Sequence, residues 1–164
     1  MRRPRRDPSF EPAPPKRFPR RGFMLGSVAG VTLSVFWVAR YYNIGAEVGS
    51  ADLSAPDALA QADAGQITLI DIRRPEEWAA TGIAQSAVPI DMRRDDFGAA
   101  LLAALNGDRT RPVALICARG VRSARVAKAL REAGFEQVLD VPEGMVGSGA
   151  GPGWISRGLP VRQP

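Results

Sequence analysis

Three short apolar runs, ITLIDI at 67–72, VALI at 113–116 and QVLDV at 137–141, alternate with stretches of helical periodicity. That alternation limits the chain more than any other feature. Compact runs rich in Val, Ile and Leu suit strands buried on both faces, the pattern of a parallel sheet. Parallel neighbours need long crossovers, and helices that supply them cover both faces of the sheet. The fold class expected is therefore α/β, a small parallel sheet with helices on both faces and ligands at the C-terminal ends of its strands.

The connecting elements carry their own signals. Ser54-Ala55-Pro56-Asp57 reads as a capping box that opens a short helix stopped by Gly65. Pro75 to Ala80 is a brief helix with Pro at its start, and Ala87 to Ile90 a second short strand. Asp95 to Leu105 repeats Phe97, Leu101 and Leu105 every four residues and ends at Asn106-Gly107. Ser123 to Ala133 is a helix with Val126, Ala127, Leu130 and Ala133 on one stripe, Arg125, Lys128 and Glu132 opposite, and Gly134 as its C-cap.

Ahead of this part the composition changes. The chain has formal charge +5, but residues 1 to 40 hold nine basic groups against two acids, so the remaining 124 residues carry about −2. The basic character describes the leader, and nucleic acid is not the expected partner of the folded part. Residues 1–21, with six prolines, read as a disordered leader. Residues 22–39 then run eighteen positions without a charge, enough for roughly 27 Å of helix, so a transmembrane or signal helix is expected there. Eight basic residues before the run and only Arg40 just after it put the N-terminus in the cytoplasm and the remainder outside, with Trp37, Tyr41 and Tyr42 as an interfacial anchor. Arg20-Arg21-Gly22-Phe23 is similar to a twin-arginine export signal. No Ala-x-Ala follows the run, and Val48-Gly49-Ser50 is a mediocre cleavage candidate, so a retained anchor is favoured. The localisation expected is the inner membrane with a periplasmic domain at 54–164, or the periplasm if the leader is cleaved, and 40–53 is a linker.

With no His and one Cys, the chain excludes a His-based triad, a His-rich zinc site, an internal disulfide and a Cys-only metal site. Chemistry therefore concentrates on Cys117. It ends the strand Val113 to Ile116 and begins the turn Ala118-Arg119-Gly120-Val121-Arg122 into the Ser123 helix. A strand, a tight loop and a helix N-terminus point successive backbone N–H groups inward, with the helix dipole behind them and two guanidinium groups beside them. A thiolate at that centre is expected to have a depressed pKa and to be nucleophilic without a histidine. A free Cys is more often a small buried hydrophobe, but this one stands at the tip of a strand, where α/β sites form.

The segment CARGVRS at 117–123 resembles the active-site loop of the rhodanese family: Cys, two variable residues, Gly, one variable residue, Arg, Ser. Leu69-Ile70-Asp71-Ile72-Arg73 is similar to that family's first-strand signature. Pro75-Glu76-Glu77-Trp78 followed by Thr81-Gly82-Ile83 is similar to its acidic-aromatic turn, and Gly158-Leu159-Pro160-Val161 to its terminal Gly-Leu-Pro. The resemblance covers about Leu53 to Val161. It implies a rhodanese-like fold and a sulfurtransferase that takes a sulfane sulfur from a donor such as thiosulfate, holds it as a Cys117 persulfide and passes it to a thiophilic acceptor. On that resemblance Ala118, Arg119, Gly120, Val121, Arg122 and Ser123 form the substrate cradle. Arg119 and Arg122 attract an anionic donor, and Asp71 and Arg73 are supporting partners of the loop. No metal or organic cofactor is implied. The partners implied are a small anionic sulfur donor, a thiol acceptor and a protein acceptor of unknown identity. Four residues between Cys117 and Arg122 match the sulfur-carrying loop, one fewer than in the related phosphatases.

The chain departs from the family pattern in three places. Ala118 stands where many thiosulfate-using members have a basic residue, the turn at Gly82-Ile83 lacks its His, and VGSGAGPG at 146–153 is inserted before Trp154. The insert does not join a strand to a long helix in a nucleotide-binding unit, so a dinucleotide site is rejected and a flexible surface loop is expected. The rival to an enzyme is a persulfide carrier or partner-binding module using the same loop. A thiol redox sensor is weakened by the lack of a resolving Cys.

Overall fold

Four segments build a parallel sheet, largely buried except at its short edge strand Val88–Pro89. They are β1 (Thr68–Asp71), β3 (Val88–Pro89), β4 (Val113–Ile116) and β5 (Val138–Asp140), in the order β3-β1-β4-β5. The computed structural model describes residues 33–50 and 52–164 of the chain. The register pairs Thr68 with Val113 and Asp71 with Ile116, so β1 and β4 end level with each other. From β1 the chain moves to one side of the sheet, and from β3 it crosses to the other, so the topological switch falls between β1 and β4. Open α/β sheets place ligands outside the C-terminal ends of strands at such a point. Cys117 is the first residue past that end of β4.

Alternation along the strands divides the core in two. Leu69, Ala114 and Ile116 pack with Ala55 and Ala58 of α2 (Ala55–Asp63) and with Trp154 of α6 (Gly153–Ser156). Ile70, Val113 and Leu115 pack with Leu101 of α4 (Phe97–Ala104) and with Ala127 and Leu130 of α5 (Val121–Glu132). Both faces are thus covered, as the apolar runs require. The Ser54 capping reading holds, because the Ser54 hydroxyl accepts from the Asp57 amide at 3.3 Å.

Several boundaries differ from the sequence reading. Helix α5 starts at Val121, two residues before Ser123, because Gly120 takes φ 78° as its N-cap and turns the chain into the helix at once. Its C-cap is Ala133, and Gly134 is the next residue, at φ 86°. Helix α4 begins at Phe97 rather than Asp95: the Arg94 amide donates back to the Asp91 carbonyl at 3.1 Å, and Arg94 pairs with Asp96 at 2.7 Å, which sets a turn first. Helix α3 (Pro75–Thr81) closes at Gly82. A second, antiparallel pair, β2 (Ile83–Ala84) with β6 (Val161–Arg162), was not expected, since two-residue strands carry no periodicity.

Residues 33–42 are helical (α1), and among the described residues no helix is long and apolar enough to cross a membrane. The leader expected at 1–21, the arginine pair, and residues 22–32 of the helix expected at 22–39 lie outside the described residues.

Candidate active site

Three loops meet at the C-terminal edge of the sheet, those after β1, β4 and β5. The loop after β4 has a consistent polarity. Its carbonyls are all engaged: Cys117 O accepts from Met145 N at 2.9 Å, Ala118 O from Val146 N at 3.0 Å and Gly120 O from Ala124 N at 3.0 Å. Arg119 O accepts from Asn43 Nδ2 at 2.9 Å. Its amides are not engaged. Val121, Arg122 and Ser123 occupy the first helical turn, where N–H groups have no intrahelical acceptor, and among the described residues the amides of Ala118, Arg119 and Gly120 donate to no protein group. A turn with its carbonyls tied outward and its amides free is an anion-binding nest.

The loop is held in this form by backbone packing. Gly120 lies against Pro142, whose carbonyl a Cβ at position 120 would strike. Gly144 has φ 66°, and a Cβ there would stand 2.5 Å from Ala118 O. Side chains are excluded at both contacts.

Cys117 is only 1% exposed. One side of it packs with the Ile70 and Leu115 cluster, and the other lines a cavity of about 360 Å³ together with Arg40, Tyr41, Arg74, Glu77, Arg119, Val121 and Arg122. The thiol is therefore the floor of the cavity rather than part of its rim. The Ser123 hydroxyl lies 3.5 Å from Cys117 Sγ and 3.1 Å from Gly120 O, so its single proton can serve either acceptor. Four guanidinium groups face one carboxylate around this cavity, and the balance favours an anion.

Glu77 is the carboxylate, and it grips Arg122 through two bonds of 2.7 and 2.6 Å. Burial opposes ionisation of Glu77, but the Arg122 bonds and the Arg74 amide outweigh it and hold its carboxyl below the usual range. Arg122 is held above the ordinary guanidinium range, first by Glu77 and then, against desolvation, by negative charge at Cys117. Glu77 appears in the sequence only inside the acidic-aromatic turn. Nothing in its spacing shows that it will meet a residue 45 positions away.

Asp71 and Arg73 are placed differently from the expectation. They form a buried pair, Arg73 Nη2 to Asp71 Oδ2 at 2.7 Å, and Arg73 also donates to Thr81 Oγ1 and to Gly82 O, both at 2.7 Å. Their side chains bond to each other and to the end of α3, not to the Cys117 loop. Their link to the site runs through α3, which carries Glu77, and Arg73 Nη1 approaches Glu77 O at 3.4 Å.

Asp140, at the end of β5, is 5% exposed, and burial pushes its carboxyl up to about 6, partly offset by the nearby Ser123 hydroxyl. Its Oδ1 is buried with no hydrogen-bond partner among the described residues.

The stretch read as a linker packs on this site. Asn43 bonds to Arg119 O, and the rings of Tyr41 and Tyr42 lie 4.6 and 5.0 Å from the Arg119 guanidinium. The glycine-rich segment 146–153 is a pinned turn rather than a loose loop: Ser148 Oγ donates to Pro142 O at 2.7 Å, and Gly153 N donates to Glu143 Oε2 at 3.1 Å. Glu143 is almost wholly buried and also takes Arg157 at 2.8 Å and Ala55 N at 3.2 Å, tying this segment to α2 and α6. Among the described residues no group of three or more His, Cys, Asp or Glu side chains could hold a metal ion.

Comparison with known proteins bears on this geometry. Residues 54–148 match the model of a rhodanese-like domain. No curated protein matched. Among solved structures, a polysulfide-sulfur transferase homodimer from Wolinella succinogenes is 27% identical with TM-score 0.56, over 80% of this chain and 89% of its own. A protein from M. tuberculosis is 27% identical with TM-score 0.52, over 69% of this chain and 97% of its own. A rhodanese-related protein from Thermoplasma volcanium is 26% identical with TM-score 0.50, over 69% and 98%.

Proposed function

This chain belongs to the rhodanese-like family, and from that premise we propose that it is a sulfurtransferase working through a persulfide on Cys117. The observation that carries the reading is a thiol on the floor of a cationic cavity, below a turn whose amides are free to hold negative charge. With thiosulfate as donor, the Cys117 thiolate attacks the outer sulfur, a new S–S bond forms, and the donor's S–S bond breaks with its electron pair leaving on sulfite. The terminal persulfide sulfur carries the negative charge, which the amides of Ala118 to Ser123 and the Ser123 hydroxyl can hold. An acceptor thiolate then attacks that sulfur, and the electron pair of the Cys117 S–S bond returns to the Cys117 thiolate. A polysulfide chain, the donor class named for the W. succinogenes relative, is a second anion that the same cavity suits.

The alternative is a carrier loaded by a partner protein, and it is favoured by Ala118 standing where many thiosulfate-using members of the family have a basic residue. Incubation of the reduced full chain with thiosulfate, followed by intact mass, decides between the two. The enzyme reading expects a gain of about 32 Da, one sulfur atom, lost again on addition of cyanide and never seen in Cys117→Ser. No gain on a folded, reduced chain rejects thiosulfate turnover and leaves the carrier.

The domain is proposed to act outside the cytoplasm, anchored by residues 22–39. Support comes from the uncharged run and from the basic excess ahead of it. Protease added to spheroplasts should then degrade the domain from outside, and full protection of it would reject this placement.

A further inference from the structure

The end of α1 reaches the Cys117 cavity, although the family match begins only at residue 54. Arg40 and Tyr41 line the cavity beside Arg119. The approach is built into the chain on both sides. Asn43 adopts φ 51°, a left-handed conformation that Asn tolerates better than most residues. Its side-chain amide donates to Arg119 O, and its carbonyl accepts from Gly149 N, each at 2.9 Å. A Cβ at Gly149 would strike the Ile44 carbonyl, so the glycine-rich segment is shaped to receive this turn. The Arg119 guanidinium meanwhile rests against Tyr41 and Tyr42, which leaves its N–H edges available to an anion.

We propose that Arg40 is a donor-binding residue of the Cys117 cavity and that Tyr41 and Tyr42 are positioning residues that hold Arg119 at its rim. The assignment rests on reading Cys117 as a sulfur-transfer thiol. Arg122 is committed to Glu77 by two hydrogen bonds. Arg40 and Arg119 have no carboxylate partner among the described residues. The ligand class is an anion with a charged terminal group, such as the sulfonate end of thiosulfate. That group would lie at the rim between Arg40 and Arg119, with the outer sulfur directed down to Cys117. Arg40 thereby supplies from outside the matched domain a cation of the kind that Ala118 does not provide.

The test uses the full chain and two readouts. In the first, the rate of Cys117 sulfuration by thiosulfate is followed by intact mass. Arg40→Ala is expected to raise the half-saturating concentration about fivefold, with the maximal rate unchanged within a factor of about two. Arg40→Lys should recover most of the loss, and the deficit should shrink at high salt, which a merely structural role would not produce. Tyr41→Leu combined with Tyr42→Leu should give a smaller rise in the same constant. The second readout is calorimetric binding of thiosulfate to the Cys117→Ser chain, with and without Arg40→Ala, where the same fivefold weakening is expected. Arg40-dependent binding without sulfuration of the wild type would reject thiosulfate as the sulfur donor and keep Arg40 as an anion-binding residue of the cavity. Normal sulfuration with Arg40→Ala equal to wild type in both readouts would overturn the assignment and leave sulfur transfer standing, and a Cys117→Ser chain that binds no thiosulfate would overturn it as well.

Discussion

The Cys117–Ser123 turn and the glycine-rich segment 146–153 are loops of similar length at the same edge of the sheet, and their backbones are used in opposite ways. In the first the carbonyls are tied down and the amides are free. In the second the amides other than that of Gly147 are taken: Ser148 N donates to Gly151 O at 3.0 Å, Gly149 N to Asn43 O at 2.9 Å and Gly151 N to Ser148 O at 3.2 Å, while Ala150 N and Gly153 N donate to the Ser148 hydroxyl and to Glu143. Buried backbone donors are rarely left unpaired. A cluster of free amides around a buried thiol is therefore the mark of a place where a ligand belongs, and a loop with its amides engaged is scaffold. Glycine content alone would have ranked the two the other way.

The largest effect that could break this contrast comes from Gly144, where scaffold touches site. Gly144→Ala combines a left-handed φ of 66° with a Cβ 2.5 Å from Ala118 O. It is expected to cost about 4 kcal/mol in urea unfolding and to abolish sulfuration of Cys117. Retention of sulfuration in a folded variant would show that the cradle tolerates displacement of Ala118. Glu143→Ala tests the scaffold by itself. It leaves the buried amides of Ala55 and Gly153 without their acceptor, and about 3 kcal/mol should be lost.

Asp140 gives the next effect, through pH. Its folded pKa, about 6, lies above the ordinary 3.8. The native state therefore binds more protons between these values, and stability falls as pH rises from about 4 to about 6. The cost is fully present above about pH 6 and amounts to about 2–3 kcal/mol. Asp140→Asn should flatten that slope in denaturation curves taken from pH 4 to pH 7, and an unchanged slope would clear Asp140. The smallest effect is expected at Glu77, where the side chains of the ion pair are about a third exposed, 30% and 29%. Glu77→Gln keeps an acceptor for Arg122 but removes the one carboxylate in the cavity. The half-saturating thiosulfate concentration should fall about threefold at low salt, with the gain lost at high salt. A rise instead would show that orientation of Arg122 matters more than its charge.

Much of the fold could be read from local pattern. The runs 67–72, 113–116 and 137–141 are strands at their centres because Val, Ile and Leu there are buried on both sides of the sheet. Cys117 was legible because a strand end followed by Gly120 and a helix start is a local geometry. Asp71 and Arg73 were misplaced because the sequence gives their presence near the site but not their hydrogen-bond partners. The packing of Tyr41 to Asn43 on Arg119, across 76 positions of sequence for the Asn43 bond, left no periodic or motif signal at all.

The sequence by itself determined the layered α/β architecture, the position of the thiol and the free amides that follow it, because each depends on neighbours within a few residues along the chain. The tertiary structure decided which carboxylate holds Arg122, what supports the cradle from behind and which residues close its rim. Those are contacts between segments brought together by the sheet order and by the close backbone approaches at Gly120, Gly144 and Gly149, and such proximity is created only when the whole core packs.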